Sequence, residues 1–312
     1  MSENSSEQQR ILKGNDAIRL NLTTALVQTL VWPFVYVNLF MYYTYRKKPA
    51  LVAEPRYVFF AQTLLADSAL FVLTDFVVVT IHVHLLLPLP FCIPMAMTIH
   101  ALALVSPTLI TTMCLERYVA ICFPLRHVDI FTPTRTAFIS GGIWFVNFLR
   151  PLVDVCIMLT TMPEGYLRSL NFCYYEILVV ARWHVEMRGN LFILNYLVLL
   201  AILFFCYVSI IRVARRASGA DRQAASKGQR TLLLHLLQLF MCTLEVFCPY
   251  VEARLLRINI DLFISVRYFN FLAFTILSRA ITPLIYGVRD EKFHAAMKEF
   301  MVHKRSKIHS GQ

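Results

Sequence analysis

Charge is what this chain has least of for its length. Only 16% of its 312 residues are Asp, Glu, Lys or Arg, against 58% hydrophobic residues, and there are nine glycines. A soluble domain of this size needs far more polar surface, so that class is excluded. Signals of chemistry are missing too. No C-x-x-C pair or Cys/His spacing speaks for a metal, and neither H-E-x-x-H nor G-x-S-x-G occurs. An intramembrane enzyme is therefore disfavoured. No inverted repeat or matched pair of Gly/Pro-broken segments supports a transporter. Residues 1–20 contain no apolar signal core, so the first apolar run is expected to act as its own insertion signal. No cysteine follows Cys248, which removes palmitate as an anchor for the tail. The net charge of +11 does not imply nucleic acid, because the basic residues fall in short clusters between apolar runs.

What the chain does have is hydrophobic runs long enough to cross a bilayer, which takes about 20 apolar residues. Seven are expected: 22–45, 57–83, 91–122, 134–159, 190–213, 231–255 and 262–286. The reading is an all-α membrane protein, a seven-helix bundle. An N-terminal segment (1–21) precedes the bundle domain (22–286), and an amphipathic helix and tail (287–312) follow it. A polar stretch, 160–189, is expected as a long outer loop before the fifth run. With the N-terminus outside, nineteen of the 30 Lys and Arg residues lie in cytoplasmic segments and ten outside. That excess supports an extracellular N-terminus and a cytoplasmic C-terminus in the plasma membrane. In this orientation Asn4 is an accessible N-x-S/T acceptor. Cys92 and Cys173 are the two cysteines best placed to meet in an oxidising compartment, where a disulfide would tether the long loop over the bundle mouth. The other six read as reduced packing residues.

Near the end of the third run stands Met113–Leu125, MCLERYVAICFPL. It brings Glu116, Arg117 and Tyr118 together where charge costs roughly 2.5–3.5 kcal/mol per group at bilayer depth. Alone, this fits either a functional pair or a snorkelling pair at a helix end. In the tail, Phe293, Ala296, Met297, Phe300 and Met301 recur at helical spacing with Arg289, Lys292, Lys298, Lys304 and Arg305 around them. That pattern predicts a helix lying on anionic membrane lipids.

With these residues in place the chain resembles the rhodopsin-like (class A) G-protein-coupled receptors. The wording Arg117-Tyr118-Val119-Ala120-Ile121-Cys122, then Pro124-Leu125, is similar to the odorant receptors. So are the spacing of Lys227, Thr231 and His235 and the run Pro283-Leu284-Ile285-Tyr286. Asn38, Asp67 and Trp144 match single marks of the family, and Cys92 lies at the family's spacing before Arg117. Departures point to a divergent, fish-type branch: Glu116 for Asp, Thr282 for the usual Asn, one cysteine in the long outer loop, and Phe247-Cys248-Pro249 in the sixth run. The last of these leaves the alignment of that run open by a few residues.

The resemblance implies binding of a small-molecule odorant and activation of a heterotrimeric G protein, of the stimulatory type that raises cAMP. The alternative is a non-olfactory class A receptor for a lipid, peptide or metabolite. As a switch it implies an ion pair between Glu116 and Arg117, from which Arg117 is released toward Tyr207 and Tyr286, with Pro249 and Pro283 allowing bends. Asp67, Ser106 and Ser278 resemble a sodium pocket, although an uncharged, hydrogen-bonded Asp67 is equally compatible with Thr282. Asp75 reads either as a polar group of the upper pocket or as a partner for an outer arginine. The ligand pocket is expected in the outer half of the bundle. Ile99, His100, Ala103 and Leu104 come from the third run, Leu191 and Asn195 from the fifth, Phe247, Tyr250 and Arg254 from the sixth, and Tyr268 and Leu272 from the seventh. Ile99 stands where amine receptors carry an acid, and the seventh run has no lysine for retinal. His100 and Arg254 could meet an acidic or hydrogen-bonding ligand.

Overall fold

The computed structural model describes residues 16–171, 173, 175–178, 181–216, 269–309 and scattered positions between 233 and 266. The expected Asn4, Pro249, Tyr250, Arg254 and Tyr268 lie outside the described residues, as do Lys227, Thr231 and His235.

Seven bounded helices carry the described chain as far as the end of the fifth span. α1 (Asp16–Lys47) is the first span, and α2 (Pro49–Val52) a short turn after it. α3 (Pro55–His82) is the second span and α4 (Leu89–Cys122) the third. α5 (Pro124–Ile130) links it to α6 (Pro133–Thr161), the fourth, and α7 (Arg182–Arg216) is the fifth. The described residues between 233 and 255 are helical, marking the sixth span. The seventh contains π-turns at Phe271–Ile276 and Ile285–Arg289 on either side of α8 (Leu277–Leu284), and α9 (Glu291–His309) follows. Among the described residues, five helices are long and apolar enough to cross a membrane, and the seventh span together with α9 forms one further candidate, bent by 85°.

Proline sets several of these starts. Pro49, Pro55, Pro124 and Pro133 each open a helix, where the missing N–H costs nothing and φ is already helical. The Thr132 side chain caps α6 by accepting from the Arg135 amide at 3.3 Å. At the outer end of α3 the chain reverses through His84 at φ 54°. The amides of Leu85 and His84 bond back to Thr80 and Ile81 at 2.8 and 3.1 Å. These two bonds close the orphan carbonyls of the helix end in a Schellman arrangement. Leu87–Pro88 (β1) then pairs antiparallel with Leu170–Asn171 (β2). The Cys92–Cys173 disulfide sits beside this ribbon and ties the loop to the third span.

The largest departure from the sequence reading is the fifth span. It begins at Arg182, eight residues before the expected start, so His184 and Arg188 belong to a membrane helix rather than a loop. Along it His184, Arg188, Tyr196, Leu199, Leu203, Cys206 and Ile210 are buried at helical spacing. The opposite stripe exposes Leu191, Leu194, Val198 and Phe205, as a lipid-facing surface requires. The charged first turns hid a helix whose His184 and Arg188 reach partners on neighbouring spans.

Candidate functional site

At the C-terminal end of α4, adjacent residues part company. Glu116, 4% exposed, meets the His127 ring of α5 at 2.8 Å, Oε1 to Nε2. Arg117 instead reaches Asp290 at 3.6 Å, at the junction of the seventh span and α9. The expected Glu116–Arg117 pair is not made. Consecutive positions on a helix point in different directions, whereas partners on other elements can approach each side chain squarely. Tyr286 stacks on Phe60, ring centroids 4.0 Å apart, and its hydroxyl donates to Met113 Sδ at 3.2 Å. Tyr118 packs edge-on against Phe123 and Phe205. Tyr207 is half-buried beside the Cys206–Ile210 stripe of the fifth span.

Asp290 is the hub that the sequence reading missed. Its Oδ1 accepts from the Tyr57 hydroxyl at 2.7 Å and from the Phe293 amide at 3.0 Å, the second bond capping α9. Its Oδ2 faces Arg56 at 3.5 Å as well as Arg117. The signal available was an aspartate immediately before an amphipathic helical pattern. α9 is fixed further by Lys292 on Glu54 at 2.7 Å, by Lys48 on Glu299, and by Phe293 buried against Tyr57 and Phe60.

Deeper in the bundle, Asp67 and Arg279 face each other, Oδ1 to Nε at 3.5 Å, and are 1% and 2% exposed. A guanidinium thus stands against the carboxylate to which a sodium ion would bind. The Ser278 hydroxyl is turned to the Phe274 carbonyl of its own span, and Ser106 is buried without a hydrogen-bond partner. Asp67, Ser106 and Ser278 therefore do not fit a sodium site. Thr282 exchanges hydrogen bonds with Gln238 of the sixth span, at 2.7 and 3.0 Å. Asp75 accepts from Gln28 of the first span. Trp144 donates to Gln62 at 2.9 Å, linking the fourth and second spans.

The outer half gathers a polar centre between the third, fourth and fifth spans. Asp154 Oδ1 meets His184 Nε2 at 2.9 Å, while its Oδ2 lies 3.4 Å from His100 Nδ1 and 3.6 Å from Arg188 Nε. Arg188 Nη2 is 3.0 Å from the same His100 nitrogen, and the His100 ring stacks on Phe192 with centroids 5.0 Å apart. On the same faces, Arg150 donates to Asn195 at 3.2 Å. Ile99 and Ala103 are half-buried against the core shared with the first, second and seventh spans, and Ile99 also packs on the cluster beneath the disulfide. Leu104 is fully buried against Tyr196, Leu199 and Leu203.

Three expected pocket residues point elsewhere. Leu191 is 50% exposed on the outward stripe of the fifth span, and Phe247 is 43% exposed on a stripe with Leu237, Phe240 and Val251. Large apolar side chains on such stripes meet lipid at no cost, so helical phase rather than residue type decides. Leu272 packs toward Val27, Val31 and Phe71, on the first and second spans. Asp154, His184, Arg188 and Arg150 are the site residues missed by sequence reasoning. Their signal was ionisable residues within or beside apolar runs. At the opposite end, a groove of about 380 Å³ lies between the inner ends of the second and fourth spans, lined by Val58, Gln62, Thr136 and Ser140 among others.

Membrane-crossing helices, a disulfide-tethered outer loop, and an arginine at the inner end of the third helix that reaches the seventh define a heptahelical receptor. The chain belongs to the 7 transmembrane receptor (rhodopsin family), whose pattern matches residues 21–286, and within it to the odorant receptors. It is 37% identical over 280 residues to Odorant receptor 131-2 of Danio rerio, covering 88% of this chain and 84% of the relative. To Olfactory receptor 52R1 of Homo sapiens it is 27% identical over 250 residues, covering 77% of each. This is a family of receptors, not enzymes, and the protein is a multi-pass protein of the plasma membrane.

Proposed function

We propose that this receptor sits with its N-terminus outside, binds a small odorant among the outer halves of the spans, and signals through a G protein docked at the inner ends of the third, fifth and sixth. The basic residues support the orientation. Arg150 and Arg188, counted above with the outer segments, face the bundle interior, so the excess on the cytoplasmic side grows. The amphipathic α9, with Lys292 and Lys298 among its basic residues, would then lie against anionic inner-leaflet lipids.

The observation that carries the mechanism is the Arg117–Asp290 contact. It joins the third span to the seventh at the face where a G protein would bind, and it is partly open to solvent, so it can be exchanged for a new partner. Odorant need only bind the arrangement with this contact broken more tightly than the one with it made, and the population shifts. Tyr286, held on Met113, and Tyr207, half-buried on the fifth span, are the side chains toward which a freed Arg117 would turn. The test is a cell-based odorant screen with a cAMP readout and surface detection. Arg117→Ala is expected to reach the surface and to lose odorant-stimulated nucleotide exchange. Undiminished signalling by that variant would remove Arg117 from the switch.

A further inference from the structure

The polar centre between the third, fourth and fifth spans has a cation that, among the described residues, no carboxylate offsets. Asp154 is engaged by His100, His184 and Arg188. Arg150 lies one helical turn from Asp154 on the same face of the fourth span, and among the described residues its polar partner is the neutral amide oxygen of Asn195. A guanidinium within a span, with only a neutral acceptor, is an uncompensated charge in a low-dielectric setting. Around it are polar atoms left without hydrogen-bond partners: His100 Nε2, His184 Nδ1 and Asn195 Nδ2. His100 and His184 are 5% and 0% exposed, so water at the surface does not satisfy them. Nature rarely leaves such groups orphaned unless something else binds there.

A group that answers these atoms is negative, accepts hydrogen bonds and is small enough to reach between three helices. Its apolar remainder would lie against Phe192, whose ring stacks on His100. We propose that the odorant of this receptor is a small organic acid whose carboxylate is held by Arg150 and hydrogen-bonded by Asn195 and His100. A carboxylate offers about four lone-pair directions, and a guanidinium presents a planar fork that matches them. The same arrangement disfavours amines, which would add a second cation beside Arg150.

This inference rests on the odorant-receptor reading, and the experiment separates the two. Purified receptor in detergent is heated with straight-chain and aromatic carboxylic acids, each matched with its primary amide, and the same compounds are run in the cAMP assay. At least one acid is expected to raise the melting temperature and to activate with about ten- to hundredfold higher potency than its amide. Arg150→Gln is expected to abolish that preference while retaining surface expression, and Arg150→Lys to retain part of it. If amides or alcohols stabilise and activate as well as the acids do, the carboxylate is wrong and the odorant-receptor reading survives. If acids stabilise the protein selectively and no G protein responds, the site stands and the signalling reading falls. If no acid shifts the melting temperature beyond its amide, the inference is overturned whatever the cells report.

Discussion

The Asp67–Arg279 pair is the most consequential buried contact in the inner half of the bundle. Both side chains are about 2% exposed and their charged atoms are 3.5 Å apart, so each neutralises the other where water cannot. Substituting one partner leaves the other buried without this opposite charge, and such breaks cost about 3–5 kcal/mol. Replacing both with neutral groups removes the charge together with its partner and is often close to neutral. Asp67→Asn and Arg279→Met should therefore each lose most surface expression and shorten the heat-inactivation half-life. The double variant should recover most of both, a coupling well beyond the few tenths of a kcal/mol seen between independent sites. Half-life at fixed temperature is the suitable measure because large membrane proteins unfold irreversibly. The same geometry predicts that replacing sodium by choline at constant ionic strength leaves that half-life unchanged. In Arg279→Met a dependence on sodium should emerge, since Asp67 then lacks its resident cation. Additive losses in the double variant, or a sodium effect on the native receptor, would refute the reasoning.

Other contacts make independent predictions. Asp290→Ala frees Arg117 and Arg56 and uncaps α9, costing about 1 kcal/mol from the cap alone; basal nucleotide exchange should rise, and unchanged basal activity would count against Asp290 as a restraint. Cys92→Ser cuts a bridge that closes an 81-residue separation and should cost about 2–5 kcal/mol, read as lower surface expression and faster cleavage of the outer loop by added protease. Thr282→Val leaves Gln238 buried without its partner and should cost about 1–3 kcal/mol, whereas pairing it with Gln238→Leu should recover most of that loss in heat-inactivation half-life.

What could be read from the residues divides along a physical line. The spans were legible because bilayer depth demands long apolar runs, and five of them appear within a few residues of their expected inner ends. The start of the fifth was not, because Arg182, His184, Glu186 and Arg188 look like a loop to any reading based on hydropathy. Burial of His184 and Arg188 depends on Asp154, thirty or more residues earlier in sequence and on another helix, which no local pattern reveals. The switch shows the same limit. Glu116 and Arg117 are neighbours in the sequence, and that proximity invites a pairing which helix geometry then separates by sending them to His127 and Asp290. Arg279 was visible as a lone cation in an apolar run, and its partner became evident only when the second and seventh spans were packed together. In each case the ionisable residue signalled that a partner must exist, because an unpaired charge at that depth is too costly. Only the three-dimensional arrangement says which partner it is. At Arg150, packing the described helices leaves that demand unmet among the described residues, and for that reason it points to the ligand.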